Sequence, residues 1–269
     1  MRGHLSKDAD KYMIMKRLLI LCLLLFFACG CSFITNCSDD PACEKILFIG
    51  NSYTFVNNLP DVFTRLAESG GHRVETGMSA SGGWTLADHA NSSETLKQIN
   101  SQKWNFVILQ EQSQIPANQS DRNNQMYPAA RTLAGKIRAA GAVPVLFMTW
   151  AHRDGWPENG IPTYESMQLQ INEGYLMLGQ ELKVRIAPVG YAWMEMRQQN
   201  PQFNLWQDDG IHPNEKGTYF AACVFYAAIY RESPEGLSYR FGLSKGDAQL
   251  LQKIAAEIVL KNTERWNIP

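Results

Sequence analysis

Ser52 raises the first chemical question. It stands in "KILFIGNSYTFVNNLP" (45–60), where an apolar run stops at Gly50, Asn51 and Ser52 before a helix-like segment. A serine hydroxyl is a weak nucleophile unless a base lies within hydrogen-bond reach. The chain offers five histidines: His4, His72, His89, His152 and His212. His4 precedes an apolar leader-like run. His72 opens a strand at the far end of the sheet. His89 follows Asp88 on a helix and reads as solvated. His152 stands at the right end of the sheet but has no carboxylate at a fixed spacing. His212 has one: "QDDGIHPNEKGTYFAA" (207–222) puts Asp209 three residues before it, in a loop that runs into a helix. Pro213 holds His212 extended and suits the first turn of that helix. Asp209 can then fold back on one ring nitrogen and leave the other as a base, the Ser-His-Asp logic. The D-x-x-H spacing selects Asp209 and leaves Asp208 as a solvated neighbour.

The elements that would position these groups alternate along the chain. Strand-like runs are "KILFIG" (45–50), "HRVETGMS" (72–79), "WNFVILQ" (104–110), "AVPVLFMTW" (142–150) and "KVRIAPVG" (183–190). Helical patterns fall at about 59–69, 85–101, 123–140, 163–181, 191–199, 213–231 and 244–265. Strands apolar throughout, separated by helix-length segments, predict a five-stranded, mostly parallel sheet covered on both faces, a three-layer α/β/α sandwich. In such sheets ligands bind beyond the carboxyl ends of the strands. The residues there are Asn51, Ser52 and Tyr53; "ASGGWT" (80–85) with Gly82, Gly83 and Trp84; "QEQSQ" (110–114) with Gln110 and Gln112; and "WAHRDGW" (150–156) with Trp150, His152 and Arg153. Asn51, Tyr53, Trp84, Gln110, Trp150, His152 and Arg153 are candidate substrate contacts. Trp84, Trp150, Trp156 and Trp206 fit the walls of a sugar-binding cleft, with the core an equal alternative for Trp84 and Trp150. Glu111 reads as a solvated loop acid. The loop "HRDGWPENGIPT" (152–163) is expected to border the pocket.

Over about residues 45–231 the sequence resembles the SGNH (GDSL-like) hydrolase superfamily, which implies a flavodoxin-like SGNH fold. "GNS" stands where the family more often has "GDS", Ser81-Gly82-Gly83 matches the block-two glycine, and "DGIHP" matches the block-five D-x-x-H. Block three departs: Gln110-Glu111-Gln112-Ser113 replaces G-x-N-D. Alignment of the strand ends puts Gln112 in the place of the oxyanion-hole Asn, with Gln110 the alternative. The resemblance implies that Ser52 attacks an ester, His212 takes its proton and Asp209 orients His212. The oxyanion would then be held by the N–H of Ser52, the N–H of Gly82 or Gly83, and the Gln112 amide. It implies neither a metal nor an organic cofactor. The expected substrate is a small-molecule or glycan ester, with acetyl esters of carbohydrates foremost. The alternatives are acyl transfer by the same three residues, or glycan binding by a vestigial site.

Composition bounds the partners and the compartment. With a formal net charge of −1 and no basic cluster beyond Lys16-Arg17, the 269-residue chain carries no footprint for nucleic acid. "MKRLLILCLLLFFACGCS" (15–32) has two cations before an apolar run from Leu18 to Ala28. Those eleven residues reach only about 16 Å as a helix, short of a ~30 Å hydrocarbon core, so they read as a signal sequence. Residues 1–31 are the expected leader, with Met15 a natural start, 32–43 a tether and 44–269 the domain. Small residues before cysteine suggest lipidation at Cys29 or Cys31, and a plain secretory signal is the alternative. The protein is then expected to be exported, periplasmic or at the cell surface, meeting the membrane only through its leader or lipid. After export Cys37 and Cys43 are candidates to pair, and Cys223 reads as core.

Overall fold

The computed structural model describes Cys37 and residues 40–269, which fall in one compact unit, Cys37–Pro269. The leader and both lipidation candidates lie outside the described residues. Cys37 and Cys43 form a disulfide, which ties the tether to the first strand. Among the described residues no helix is long and apolar enough to cross a membrane.

Five strands make the sheet: β1 Cys43–Gly50, β2 Arg73–Ala80, β3 Phe106–Leu109, β4 Val143–Phe147 and β5 Arg185–Ala187. Their order is β2-β1-β3-β4-β5 and every pairing is parallel. Gly50 stands opposite Ala80, Ile49 opposite Leu109 and Leu109 opposite Leu146. The loops after β1, β2, β3 and β4 therefore leave the sheet at nearly one level. The order reverses around β1, the switch point at which such sheets open a crevice.

The helices are α1 Ser52–Phe55, α2 Leu59–Ser69, α3 Leu86–Asn91, α4 Ser93–Ile99, α5 Tyr127–Ala139, α6 Tyr164–Leu182, α7 Val189–Gln199, α8 Glu215–Tyr230 and α9 Lys245–Leu260. One layer contains α2, α7, α8 and α9, and the other contains α3, α4, α5 and α6. The helix expected over 85–101 is two, because the Ser92 side chain caps α4 by accepting from the Thr95 N–H. A π-helical turn, Arg122–Met126, occupies the start of the helix expected over 123–140. From Gly217 to Ile229, α8 is buried on all sides, as its uniformly apolar sequence requires. Cys223 lies in that stretch, buried and unpaired.

Candidate active site

Ser52 opens α1, directly beyond β1. Asn51 caps this turn: its Oδ1 accepts from the Tyr53 N–H at 3.1 Å. The Ser52 hydroxyl lies 2.9 Å from His212 Nε2, and His212 Nδ1 lies 2.6 Å from Asp209 Oδ2. The second oxygen of Asp209 accepts from the N–H groups of Ile211 (2.9 Å) and His212 (3.0 Å). Backbone geometry brings this pair together. The Gln207 N–H donates to the His212 carbonyl, and Gly210 turns the loop at φ +69°, a region that favours glycine. With Asp209 on Nδ1–H, Nε2 is left to accept the Ser52 proton. Burial works against the Asp209 carboxylate, but bonds from the His212 ring and from two N–H groups outweigh it and hold its pKa below the usual range. Asp208 is exposed and makes no side-chain hydrogen bond among the described residues.

Gln110 ties the first and third loops together. Its Oε1 accepts from the Asn51 N–H (2.7 Å) and the Thr54 hydroxyl (2.9 Å). Its Nε2 donates to Asn51 Oδ1 (2.9 Å) and to the Glu111 carbonyl (2.7 Å). Asn51 Nδ2 in turn donates to the Trp84 carbonyl at 2.9 Å, which ties in the second loop. A carboxylate at position 51 would face that carbonyl with no proton to give, which accounts for "GNS" here. The N–H groups of Ser52, Gly82 and Gly83 have no protein acceptor among the described residues. They are therefore free to receive an anion.

Several sequence expectations need correction. Asn51, Tyr53, Gln110 and Trp150 are buried and hold the site together instead of meeting substrate. Trp150 is stacked between Tyr53 and Trp193, at 4.3 and 4.2 Å, and Trp206 is likewise core. The Gln112 amide turns back on its own loop. Its oxygen accepts from the N–H groups of Gln114 and Ile115, and its nitrogen donates to Gln114 Oε1. His89 is fully buried, because it shares the inner face of α3 with Leu86 three residues earlier. Its Nε2 donates to the Gly50 carbonyl (2.8 Å), and Nδ1 faces the Thr95 hydroxyl (2.9 Å). Burial lowers its pKa and keeps the ring neutral. Trp84, His152, Arg153 and Trp156 remain partly exposed. His72 lies at the far end of the sheet, stacked on Tyr230 and 3.0 Å from Glu232.

Glu111 is also fully buried. One carboxyl oxygen accepts from the N–H groups of Leu86 (3.0 Å) and Gln112 (2.7 Å), while the other has no partner. Burial drives its pKa up to about 7, against the two N–H bonds. The folded protein therefore binds this proton more tightly than the unfolded chain, whose carboxyl titrates near 4.5. Stability from this group is complete below pH 4.5 and is lost as pH rises to about 7. At about 1.4 kcal/mol per unit, the loss is about 3 kcal/mol. We expect the wild-type Tm to fall relative to that of Glu111→Gln across this window in melts at a series of pH values. A difference between the two proteins that stays constant with pH would disprove it.

The structural roles of His89 and Gln110 escaped the sequence reading, which took His89 as solvated and Gln110 as a substrate contact, because they bond the Gly50 carbonyl and the Asn51 N–H, 39 and 59 residues away. The spacing of Leu86 and His89 is the one signal that could have placed His89 inside.

No family model matches the chain, and no curated protein matches it. Solved structures do. A protein of Slackia heliotrinireducens assigned to the SGNH hydrolases aligns at 28% identity and a TM-score of 0.60, over 70% of this chain and 99% of its own. A DUF4886 family protein of Bacteroides uniformis aligns at 19% identity and a TM-score of 0.70, over 81% and 95%. An acetylxylan esterase of Geobacillus stearothermophilus aligns at 14% identity and a TM-score of 0.54, over 75% and 97%. The last two likenesses concern the fold.

Proposed function

Since the chain belongs to the SGNH hydrolase superfamily, we propose that it is a serine esterase that removes acyl groups, acetyl foremost, from carbohydrate or related esters. The observation that carries this reading is the unbroken run from Ser52 Oγ to His212 Nε2 (2.9 Å) and from His212 Nδ1 to Asp209 (2.6 Å). Ser52 Oγ attacks the ester carbonyl and its proton passes to His212 Nε2. The carbonyl oxygen becomes an oxyanion, received by the free N–H groups of Ser52 and Gly82 or Gly83. Losing one such donor typically costs about 10²–10³ in turnover. Collapse breaks the bond to the alcohol, whose oxygen takes the proton back from His212. Water, deprotonated by His212, then releases the acid and restores Ser52.

Acetyl esters are favoured by the fold shared with the acetylxylan esterase. A sugar is favoured by Trp84, partly exposed in the loop after β2, and Trp156, partly exposed in the loop after β4, since sugar faces stack on aromatic rings. The leader at 15–32 supports export with a lipid anchor at Cys29 or Cys31.

The test treats the purified protein with a fluorophosphonate probe and with p-nitrophenyl acetate, butyrate and octanoate. The expected result is a covalent label on Ser52 and turnover greatest with acetate. A protein that takes no label and turns over no ester would instead be a binding module.

A further inference from the structure

One imidazole beside the triad has no part in the proton transfer just described. Trp150 Nε1 donates to the Ile211 carbonyl at 3.0 Å, and Trp206 Nε1 donates to the Ala151 carbonyl at 3.2 Å. The Arg153 N–H donates to the Gly210 carbonyl at 2.8 Å. These three bonds lay residues 150–153 along the loop that carries Asp209 and His212. Within this strip His152 is partly exposed. Its Nε2 lies 2.9 Å from the hydroxyl of Ser113, a buried residue of the loop after β3. The buried Tyr53 hydroxyl lies near Ser113 and Trp150 but has no hydrogen-bond partner among the described residues. Tyr53 directly follows the nucleophile and packs edge-on against His212, with ring centroids 6.1 Å apart.

The Ser113 hydroxyl occupies His152 Nε2, as donor or acceptor according to the ring tautomer. His152 Nδ1 has no protein partner among the described residues. Burial lowers the His152 pKa, His212 lowers it further, and Asp209 and Glu158 oppose them without reversing the shift. A neutral ring with Nε2 occupied has one free nitrogen to offer, and it is Nδ1.

Sheet order fixes which part of a substrate that nitrogen meets. The Gly82-Gly83 loop follows β2, on one flank of Ser52, while Ser113 and His152 follow β3 and β4 on the other. The oxyanion belongs to the glycine flank. The leaving alcohol takes its proton from His212 and so lies on the His152 flank. Resting on the esterase reading, we propose that His152, fixed by Ser113, hydrogen-bonds through Nδ1 to a hydroxyl next to the ester on the alcohol portion. The substrate class is then an ester of a polyhydroxy alcohol with a free neighbouring hydroxyl.

The test compares kcat/KM for a mono-acetylated methyl glycoside bearing a free hydroxyl beside the ester with that for its deoxy analogue, in which hydrogen replaces that hydroxyl. The wild type is expected to prefer the hydroxyl substrate by about 10-fold or more, since a site that hydrogen-bonds a hydroxyl discriminates against its absence. His152→Phe is expected to bring the ratio near one. His152→Asn, which keeps a donor, is expected to retain part of it, and Ser113→Ala to reduce it. A wild-type ratio near one, or equal ratios in wild type and His152→Phe, overturns the proposal while Ser52 labelling and p-nitrophenyl acetate turnover leave the esterase reading standing. Absence of that labelling and turnover overturns both.

Discussion

Ser52→Ala and His212→Ala should each lower kcat on p-nitrophenyl acetate by about 10⁴- to 10⁶-fold, and the double variant should be no slower than the worse single one. The reason is geometric. The Ser52 hydroxyl gains nucleophilicity only through the 2.9 Å bond to His212 Nε2, and Nε2 is a free base only because Asp209 holds Nδ1 at 2.6 Å. Without His212 the hydroxyl keeps its proton; without Ser52 the imidazole has nothing to activate. Each loss therefore contains the other. What survives is the field of the free N–H groups of Ser52, Gly82 and Gly83, which do not pass through the imidazole. Asp209→Asn should fall in the same range, because an amide no longer fixes the required tautomer. Steady-state kinetics on the wild type and the four variants, with circular dichroism to confirm folding, decide the matter. Multiplying losses in the double variant would mean that Ser52 and His212 act independently, and the single proton path would then be wrong.

The parts legible in the sequence are those with short-range signals. Asp209 and His212 are three apart with Pro213 after them, and their contact needs only the local turn at Gly210. The parallel sheet is legible because β1, β3 and β4 are apolar without alternation, as strands buried on both faces must be. Gln112 misled because strand alignment gives a residue's place along the chain and not the direction of its side chain. A flexible amide two residues from a tight turn finds N–H groups in its own loop. Trp150 misled for the opposite reason. Standing at a strand end suggests exposure, yet Tyr53 and Trp193 cover both of its faces. The buried polar residues Gln110 and Glu111 carry no periodic signal, and His89 carries only its spacing from Leu86. A polar side chain is cheap to bury only when satisfied, and the partners that satisfy these lie in other loops.

Gly50→Ala should be about as damaging as a large core substitution, and Gln110 is the reason. A Cβ on Gly50 would run into Gln110 Oε1 and Thr54 Oγ1. Gln110 cannot swing aside, because all four of its amide bonds are made within the site. Overpacking of this kind costs about 1–3 kcal/mol. The Gly50 carbonyl also accepts from His89 Nε2 at 2.8 Å and from the Ser81 N–H at 3.3 Å. Displacing Gly50 thus moves the nucleophile turn, α3 and the Gly82-Gly83 loop together. Misplacement of reacting groups by about 1 Å can cost about 10²-fold in rate, so turnover should fall by more than the loss of stability implies. Gln110→Ala alone should cost about 3–5 kcal/mol, since it strands the Asn51 N–H, the Thr54 hydroxyl and the Glu111 carbonyl without partners and takes one of two donors from Asn51 Oδ1. It also empties the space that the added methyl needs. The double variant should therefore be more stable than the two losses summed, by about 1–2 kcal/mol, the signature of two residues sharing one contact. Urea unfolding of the four proteins measures this coupling. Simple additivity would show that Gly50 is required for some reason other than its approach to Gln110. A positive coupling would mean that the strand ends in glycine so that the Gln110 amide can reach the turn and hold Ser52 in front of His212.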